Sequence, residues 1–122
     1  MIEHVINLPE ADKQLKFIQL YIKGEPYLVC EDSHNFHSVI LEKTLRNFNL
    51  KFEQIELSAL LKIPKSKGEN YELVGAGQIG GFKNKLQFYG NSSNYGLRTN
   101  AKHLEKIKSY LPTGIEVKIL DF

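Results

Sequence analysis

Several features are scarce in this sequence, and each scarcity excludes a class of protein. The one cysteine, Cys30, cannot form an internal disulfide, which excludes a disulfide-rich secreted domain. No segment approaches the ~18 consecutive apolar residues of a membrane-spanning helix. The N-terminus lacks a basic region followed by an apolar run, so we expect no signal peptide. These absences predict a cytoplasmic protein that has no membrane partner.

Net charge and metal ligands are also scarce. The formal net charge is +2, which is low for a nucleic-acid-binding domain. The lysines are dispersed and many aromatic residues fall on core-periodic positions, so RNA binding is the weakest of the functions considered. His34 and His37 are three residues apart, but no set of Cys, Asp or Glu completes a metal site around them. We therefore expect neither a nucleic-acid partner nor a metal.

What is present is the composition of one globular domain. The 122 residues are 42% hydrophobic and 25% charged, which is enough for a single buried core. We expect one domain over residues 1–122, in a monomer. The order of the segments predicts an α+β fold, with a mixed or antiparallel β-sheet and two packed α-helices.

Periodicity in the sequence predicts the individual elements. Alternation and turn residues predict an edge strand in 5–8, a hairpin over 15–30, and strands at 71–79, 85–89 and 115–119. Helical spacing predicts helices at 34–49 and 99–110. The first helix is expected to start after the signals Glu31-Asp-Ser33 and to bury Phe36, Ile40, Leu41, Leu45 and Phe48. Residues 50–70 are ambiguous, because they fit either a strand with an extension or a helical turn.

The polar, glycine-flanked turn Tyr89-Gly-Asn-Ser-Ser-Asn-Tyr-Gly96 has the composition of an anion-binding site. Successive backbone N–H groups in such a turn can form an anion-binding nest, and the N-terminus of the helix that follows adds a partial positive charge. Ser92, Ser93 and Asn94 supply side-chain donors, and Arg98 supplies a full positive charge. The same pattern also fits an ordinary surface loop.

His37 is the strongest of the four histidines as a general base or nucleophile, because histidine alone titrates near neutral pH unperturbed. The alternative is that His37 only flanks the helix. His4 is expected in an edge segment and His103 on an exposed helix face, and neither is given a role. Lys16 is expected to point away from the core. Cys30 is expected to be a half-buried core thiol rather than a nucleophile.

These segments together resemble the phosphohistidine phosphatase (Janus) family over most of the chain. The Gly-x-Gly-x-Ile segment and the Tyr-Gly-x-Ser-x-x-Tyr-Gly turn occur in the family's order and spacing. The resemblance is carried by Leu15-Lys-Phe-Ile18, Asn35-Phe-His37, Gly75-Ala-Gly-Gln-Ile79, Phe88-Tyr-Gly-Asn-Ser-Ser-Asn-Tyr-Gly96 and Glu105-Lys-Ile-Lys108 with Pro112 beyond.

The resemblance implies a cofactor-free, metal-independent hydrolase that removes the phosphoryl group from phosphohistidine in a partner protein. His37 stands where the family has its essential histidine. Lys16 matches the phosphate-contacting lysine, and the turn Asn91–Asn94 matches the phosphate-binding loop, with Ser92 as its serine. Whether His37 attacks phosphorus or activates a water is left open.

The chain also departs from the family. It has Gln78 where the family often has arginine, and it lacks a basic residue around Val29 and Cys30. Lys16, together with Arg98 or Lys83, would have to compensate for this missing charge. The segment between the candidate histidine and the glycine motif is also longer than usual. These differences support a second hypothesis, a non-catalytic regulatory module that binds phosphate or a phosphoprotein on the same fold.

Overall fold

The structure is a computed structural model that describes residues 3–32 and 34–120. It contains ten strands and two α-helices within that part of the chain. In chain order they are β1 (Val5–Ile6), β2 (Gln14–Ile22), β3 (Glu25–Asp32), α1 (His37–Asn47), β4 (Gln54–Ser58), β5 (Leu61–Pro64), β6 (Tyr71–Phe82), β7 (Lys85–Tyr89), β8 (Asn91–Ser92), β9 (Leu97–Arg98), α2 (Ala101–Ile107) and β10 (Glu116–Ile119), with a 3-10 turn at Lys108–Tyr110 between α2 and β10.

Six of the strands form the central sheet, in the order β1-β3-β2-β6-β7-β10. The four inner strands are antiparallel to one another, whereas the edge strands β1 and β10 run parallel to β3 and β7. The predicted α+β class, with a mixed sheet and two helices, is confirmed. None of the described helices is both long enough and apolar enough to cross a membrane.

The two helices cover opposite faces of this sheet. Successive residues of a strand point to opposite faces, so β2 contributes to two separate clusters of buried side chains. Ile18 and Leu20 pack with Ile40 and Leu41 of α1 in one cluster. Phe17 packs in the other cluster with residues of β3, β6, β7 and α2, including Leu28, Cys30, Ile79, Phe88, Leu104 and Ile107. In this part of β2, even-numbered side chains therefore face α1 and odd-numbered side chains face α2.

Residues 54–64 form a separate β-hairpin of β4 and β5. Ile63 is buried against the α1 side of the molecule, whereas Leu60 at the tip is 99% exposed. The chain after β5 runs antiparallel to β6, because Leu73 N donates to Ser66 O at 2.7 Å and Gly68 N donates to Tyr71 O at 3.0 Å. The ambiguous segment is thus a hairpin rather than a helical turn.

The first helix is shorter than expected at both ends. The Asp32 carboxylate accepts a hydrogen bond from His34 N at 2.8 Å, so it closes a turn instead of capping α1. Ser33, the other expected start signal, lies outside the described residues. Asn49 has a φ of 56°, and such a left-handed residue ends an α-helix. The helix therefore spans His37–Asn47 rather than 34–49.

Three expectations about burial are wrong. Phe36 is 66% exposed, because it precedes the first turn of α1 in an extended conformation and lies outside the helical stripe. Cys30 is fully rather than half buried. His103, expected on an exposed helix face, has no exposed surface.

The second helix, expected over 99–110, is α-helical only at Ala101–Ile107. It begins after its cap residue Asn100, and the three residues after Ile107 form the 3-10 turn.

Candidate functional site

A row of polar side chains crosses three strands on the face that α1 covers. Lys16 of β2 lies opposite Gln78 of β6, and Gln78 lies opposite Tyr89 of β7. Directly opposite residues of antiparallel neighbours share a face, with Cβ atoms about 5 Å apart. On its other side Lys16 lies opposite Glu31, whose Oε1 accepts a hydrogen bond from Lys43 Nζ at 2.7 Å. Lys43 therefore offsets the charge of the Glu31 carboxylate, which is the β3 neighbour of Lys16 in this register.

His37 is the first residue of α1 and lies above the same part of β6. Its Nε2 donates a hydrogen bond to the Gly77 carbonyl oxygen at 2.8 Å. A carbonyl oxygen can only accept, so the bond places the ring proton on Nε2 and leaves the lone pair of a neutral ring on Nδ1. The side chain of Phe36, the helix N-cap residue, makes no capping bond. Lys16 Nζ lies 5.5 Å from the centre of the Phe36 ring, which places the cation beside this helix start.

The surroundings keep the His37 ring neutral. Burial lowers the pKa of His37 below its usual 6.5, the Gly77 hydrogen bond opposes that shift, and the Lys16 charge lowers the pKa further. Burial disfavours the imidazolium because it removes water from the charge, and a nearby cation repels it. At neutral pH the structure therefore presents an uncharged imidazole with a free Nδ1 lone pair beside a lysine.

The predicted anion-binding turn is a small hairpin, in which Asn91 pairs with Arg98 and Ser92 pairs with Leu97. We call it the Asn91–Arg98 hairpin. Gly96 N donates to Ser92 O at 2.8 Å, and Gly96 has a φ of 64°. Within the described residues, no backbone carbonyl accepts the N–H groups at the tip, at Ser93 and Asn94. These exposed donors are free for an anion.

A depression of about 250 Å³ lies on this hairpin. It is lined by Asn91, Ser92, Ser93, Gly96, Leu97 and Arg98. His37 and Lys16 are not among the lining residues, so the structure gives two adjoining parts rather than one closed cleft. Gln78 lies between the two parts. It is opposite Lys16 in the pairing of β2 with β6, and its side chain is 3.7 Å from the point where a Cβ on Gly90, directly before the hairpin, would lie.

Other expected contributors lie elsewhere. The α2 N-terminus is capped by the Asn100 side chain, which accepts from His103 N at 2.9 Å, and β9 separates it from the hairpin tip. Lys83 lies in the turn after β6, beyond the end of the strand that carries Gln78. The region of Cys30 is inside the core, so a basic residue there would have to extend out of it.

Sequence reasoning did not single out Gly77, Glu31 and Lys43 as parts of this site. The Gly75-Ala-Gly77 segment gave a signal for the first, because small residues indicate a close approach of another group. A Cβ built at Gly77 would lie 2.5 Å from Tyr89 O, so glycine here allows β6 and β7 to converge beside His37. No signal marked Glu31 or Lys43, since exposed charged residues on strands and helices are common.

Within residues 3–32 and 34–120, no group of three His, Cys, Asp or Glu side chains lies close enough to hold a metal ion. Comparison with protein-family models found no match, and comparison with curated proteins found no significant match. Neither comparison therefore bears on the function.

Proposed function

We propose that this protein is a protein-histidine phosphatase that hydrolyses the P–N bond of phosphohistidine. The observation that carries the proposal is the buried, neutral His37, whose Nε2–H is bonded to Gly77 O and whose Nδ1 is free beside Lys16. A phosphoramidate bond needs little more than orientation and anion stabilisation, because the imidazole leaves readily once it is protonated. The resemblance to the phosphohistidine phosphatase family supports the same reaction, and we place the activity in the cytoplasm without a cofactor.

Two routes fit this geometry. In the first, His37 Nδ1 attacks phosphorus while the P–N bond to the substrate histidine breaks, and water then hydrolyses phospho-His37. In the second, Nδ1 takes a proton from a water as that water attacks phosphorus directly. Either route consumes one water and releases histidine and inorganic phosphate.

The remaining residues supply the anion site. Lys16 provides a full positive charge that is close enough to His37 to lower its pKa, and Gln78 provides a neutral N–H donor between Lys16 and the hairpin. The amides of Ser93 and Asn94, with the Asn91 and Ser92 side chains, would bind the phosphoryl oxygens, and Arg98 would add charge at the hairpin base. Pre-oriented donors of this kind stabilise the charge that develops on the oxygens in the transition state.

Phosphate release from a phosphohistidine-containing protein tests the proposal. We expect His37→Ala to reduce the rate to the uncatalysed background. His34→Ala is the matched control, because His34 is exposed and its Nδ1 lies 2.7 Å from Asp32 Oδ1, away from the His37 site. If the unmodified protein releases phosphate no faster than the background, or if His37→Ala equals it, the catalytic proposal is wrong.

A non-catalytic phosphate-binding module is the second candidate. It is favoured by the uncharged Gln78 in the row and by a hairpin depression that His37 does not line. It predicts that inorganic phosphate shifts the amide NMR signals of Ser93 and Asn94 in a protein that has no turnover. Absence of any shift in the Asn91–Arg98 hairpin would count against both candidates.

A further inference from the structure

Gln19 is a fully buried amide on the face of the sheet opposite His37. A buried amide must have its hydrogen bonds satisfied, or it destabilises the fold. Gln19 Oε1 accepts from Asn100 N at 2.8 Å, and Nε2 donates to Asn100 O at 3.0 Å. The Gln19 side chain thus pairs with both the N–H and the C=O group of the Asn100 backbone, as a residue of a neighbouring strand would.

His103 completes this arrangement. Its Nε2 donates to Leu20 O at 3.0 Å, which leaves Nδ1 as the acceptor for Gln19 Nε2 at 3.1 Å. Asn100 in turn donates from Nδ2 to Val74 O at 3.1 Å. Gln19, Asn100 and His103 therefore form one satisfied network that joins β2, β6 and the start of α2.

Gly75 makes room for the network. It lies opposite Gln19 in the β2–β6 register, and a Cβ built on it would collide with Gln19 Oε1. Gly77, two residues further along β6, carries the carbonyl that binds His37. The two glycines of the Gly75-Ala-Gly77 segment thus have different roles along one strand: Gly75 leaves room for the network, and Gly77 supplies the carbonyl oxygen that binds the candidate base.

Asn100 is also where the Asn91–Arg98 hairpin returns to the sheet. Only Thr99 separates it from the hairpin, whose other leg is attached through the pairing of Tyr89 with Gln78. We infer that Gln19 is a positioning residue, which together with Gly75 and His103 fixes the phosphate-binding hairpin relative to His37. This inference rests on the proposed phosphatase function of the His37 site.

Two substitutions break the network in different ways. Gln19→Met keeps the side-chain length but removes both ends of the amide, and Gly75→Ala displaces the amide without changing Gln19. The matched control for the second is Gly80→Ala on the same strand, where the nearest atom to a Cβ would lie 3.6 Å away. Leu86→Ala, in the core on the same face as Gln19, controls for a general loss of stability.

We expect Gln19→Met and Gly75→Ala each to lower kcat/KM on a phosphohistidine protein by about tenfold or more, because small misplacements of binding groups are costly to catalysis. The midpoint of the acid limb of the pH profile should not move, because Gly77 and Lys16 still surround His37. Gly80→Ala and Leu86→Ala should retain kcat/KM within about twofold. If the network variants and the controls lose activity equally, or if the network variants lose none, the positioning role is wrong.

Amide hydrogen exchange separates this inference from the proposed function. In Gln19→Met and Gly75→Ala, the Asn100 and Gly96 amides should exchange at least about tenfold faster, measured relative to the slowest core amides. The reason is that these variants lose only the local hydrogen bonds that hold this part of the chain. Unchanged relative exchange in the hairpin would overturn the inference even in an active enzyme. If the unmodified protein shows no turnover, the phosphatase proposal fails, and the hairpin's exchange alone decides whether Gln19 positions it.

Discussion

His37 and Gly77 are joined by a hydrogen bond of 2.8 Å from the imidazole Nε2 to the carbonyl oxygen, which links the first residue of α1 to the centre of β6. The bond fixes both the tautomer and the direction of the free Nδ1. Burial removes the ring from water and lowers its pKa, and the Lys16 charge acts in the same direction. The protonation state of His37 can therefore be followed by its titration and altered by substituting Lys16.

The first prediction concerns that pKa. We expect the His37 imidazole to titrate below 6.5, followed by the NMR shift of its Cε1 proton. Lys16→Met should raise the pKa of His37, because it removes a nearby positive charge. Lys43→Met is the control, since Lys43 is bonded to Glu31 rather than facing His37. A His37 pKa at or above 6.5, or equal pKa values in the two variants, would contradict this account.

Activity should follow the same titration. A base works in its neutral form, so kcat/KM should rise with pH through the pKa of His37 and become level above it. In Lys16→Met the acid limb should move to higher pH and the plateau should fall, because the variant also loses a phosphate-binding charge. The substrate's own lability in acid is subtracted with the His37→Ala variant.

The second prediction concerns stability and His103. Burial lowers the pKa of His103 to about 4, whereas an unfolded histidine titrates near 6.5. Between these values the unfolded chain binds a proton that the folded chain does not. The stability from the neutral ring is therefore fully present above pH 6.5 and is lost as the pH falls towards 4.

We expect this group to account for about 2–3 kcal/mol of the unfolding free energy lost between pH 7.5 and pH 4.5. Urea denaturation at the two pH values measures the loss. His103→Gln should be less stable at pH 7.5 but should show a smaller pH dependence than the parent, because it has no proton to gain. Identical pH dependence in both proteins would show that His103 is not the responsible group.

The third prediction concerns the close approach of β6 and β7. A Cβ at Gly77 would meet Tyr89 O at 2.5 Å and the Phe17 ring at 3.1 Å, and neither a backbone atom nor a buried ring can move freely. Gly77→Ala should therefore lower the unfolding free energy by about 2 kcal/mol or more, as overpacked core substitutions do. Gly80→Ala should change it by less than about 1 kcal/mol. Similar effects of the two substitutions would contradict the steric explanation.

The parts of the fold with a clear period could be predicted from the sequence. The β2–β3 hairpin, both helices and the closing strand β10 follow from alternation or helical spacing, although the helix ends do not. Residues 54–64 could not be predicted because every residue of β4 is exposed and Leu57 lies at a break in the pairing register. Without a buried face, a strand has no alternation of apolar and polar residues to detect.

The residue types of the candidate site could be predicted from the sequence, but the contacts between the residues could not. The sequence predicts His37, Lys16 and Gln78 among the residues of one site, and the pairing of β2 with β6 brings Lys16 and Gln78 opposite each other. The role of His103 was missed, because its partner Gln19 is 84 residues away and no local pattern records that contact. A polar residue in a helix is expected at the surface unless its distant hydrogen-bond partner is known.

The last prediction concerns the contact between the Asn91–Arg98 hairpin and the β4–β5 hairpin. Tyr95 donates its hydroxyl hydrogen bond to Pro64 O at 2.8 Å, and burial raises the pKa of Tyr95, which keeps the hydroxyl protonated. Tyr95→Phe should lower the unfolding free energy by about 1 kcal/mol, the usual net value of one such bond. It should also speed amide exchange at Lys65, whose N–H bonds to Glu53 O at the base of the β4–β5 hairpin.

Tyr110→Phe is the matched control for this bond. The Tyr110 ring is 44% exposed and stacks on His4 with 4.1 Å between ring centres, a contact that survives loss of the hydroxyl. We expect it to leave stability within about 0.5 kcal/mol of the parent and the exchange at Lys65 unchanged. If Tyr95→Phe behaves in the same way, the two hairpins are held together by ring packing alone. The β4–β5 hairpin would then have no directional bond to the Asn91–Arg98 hairpin.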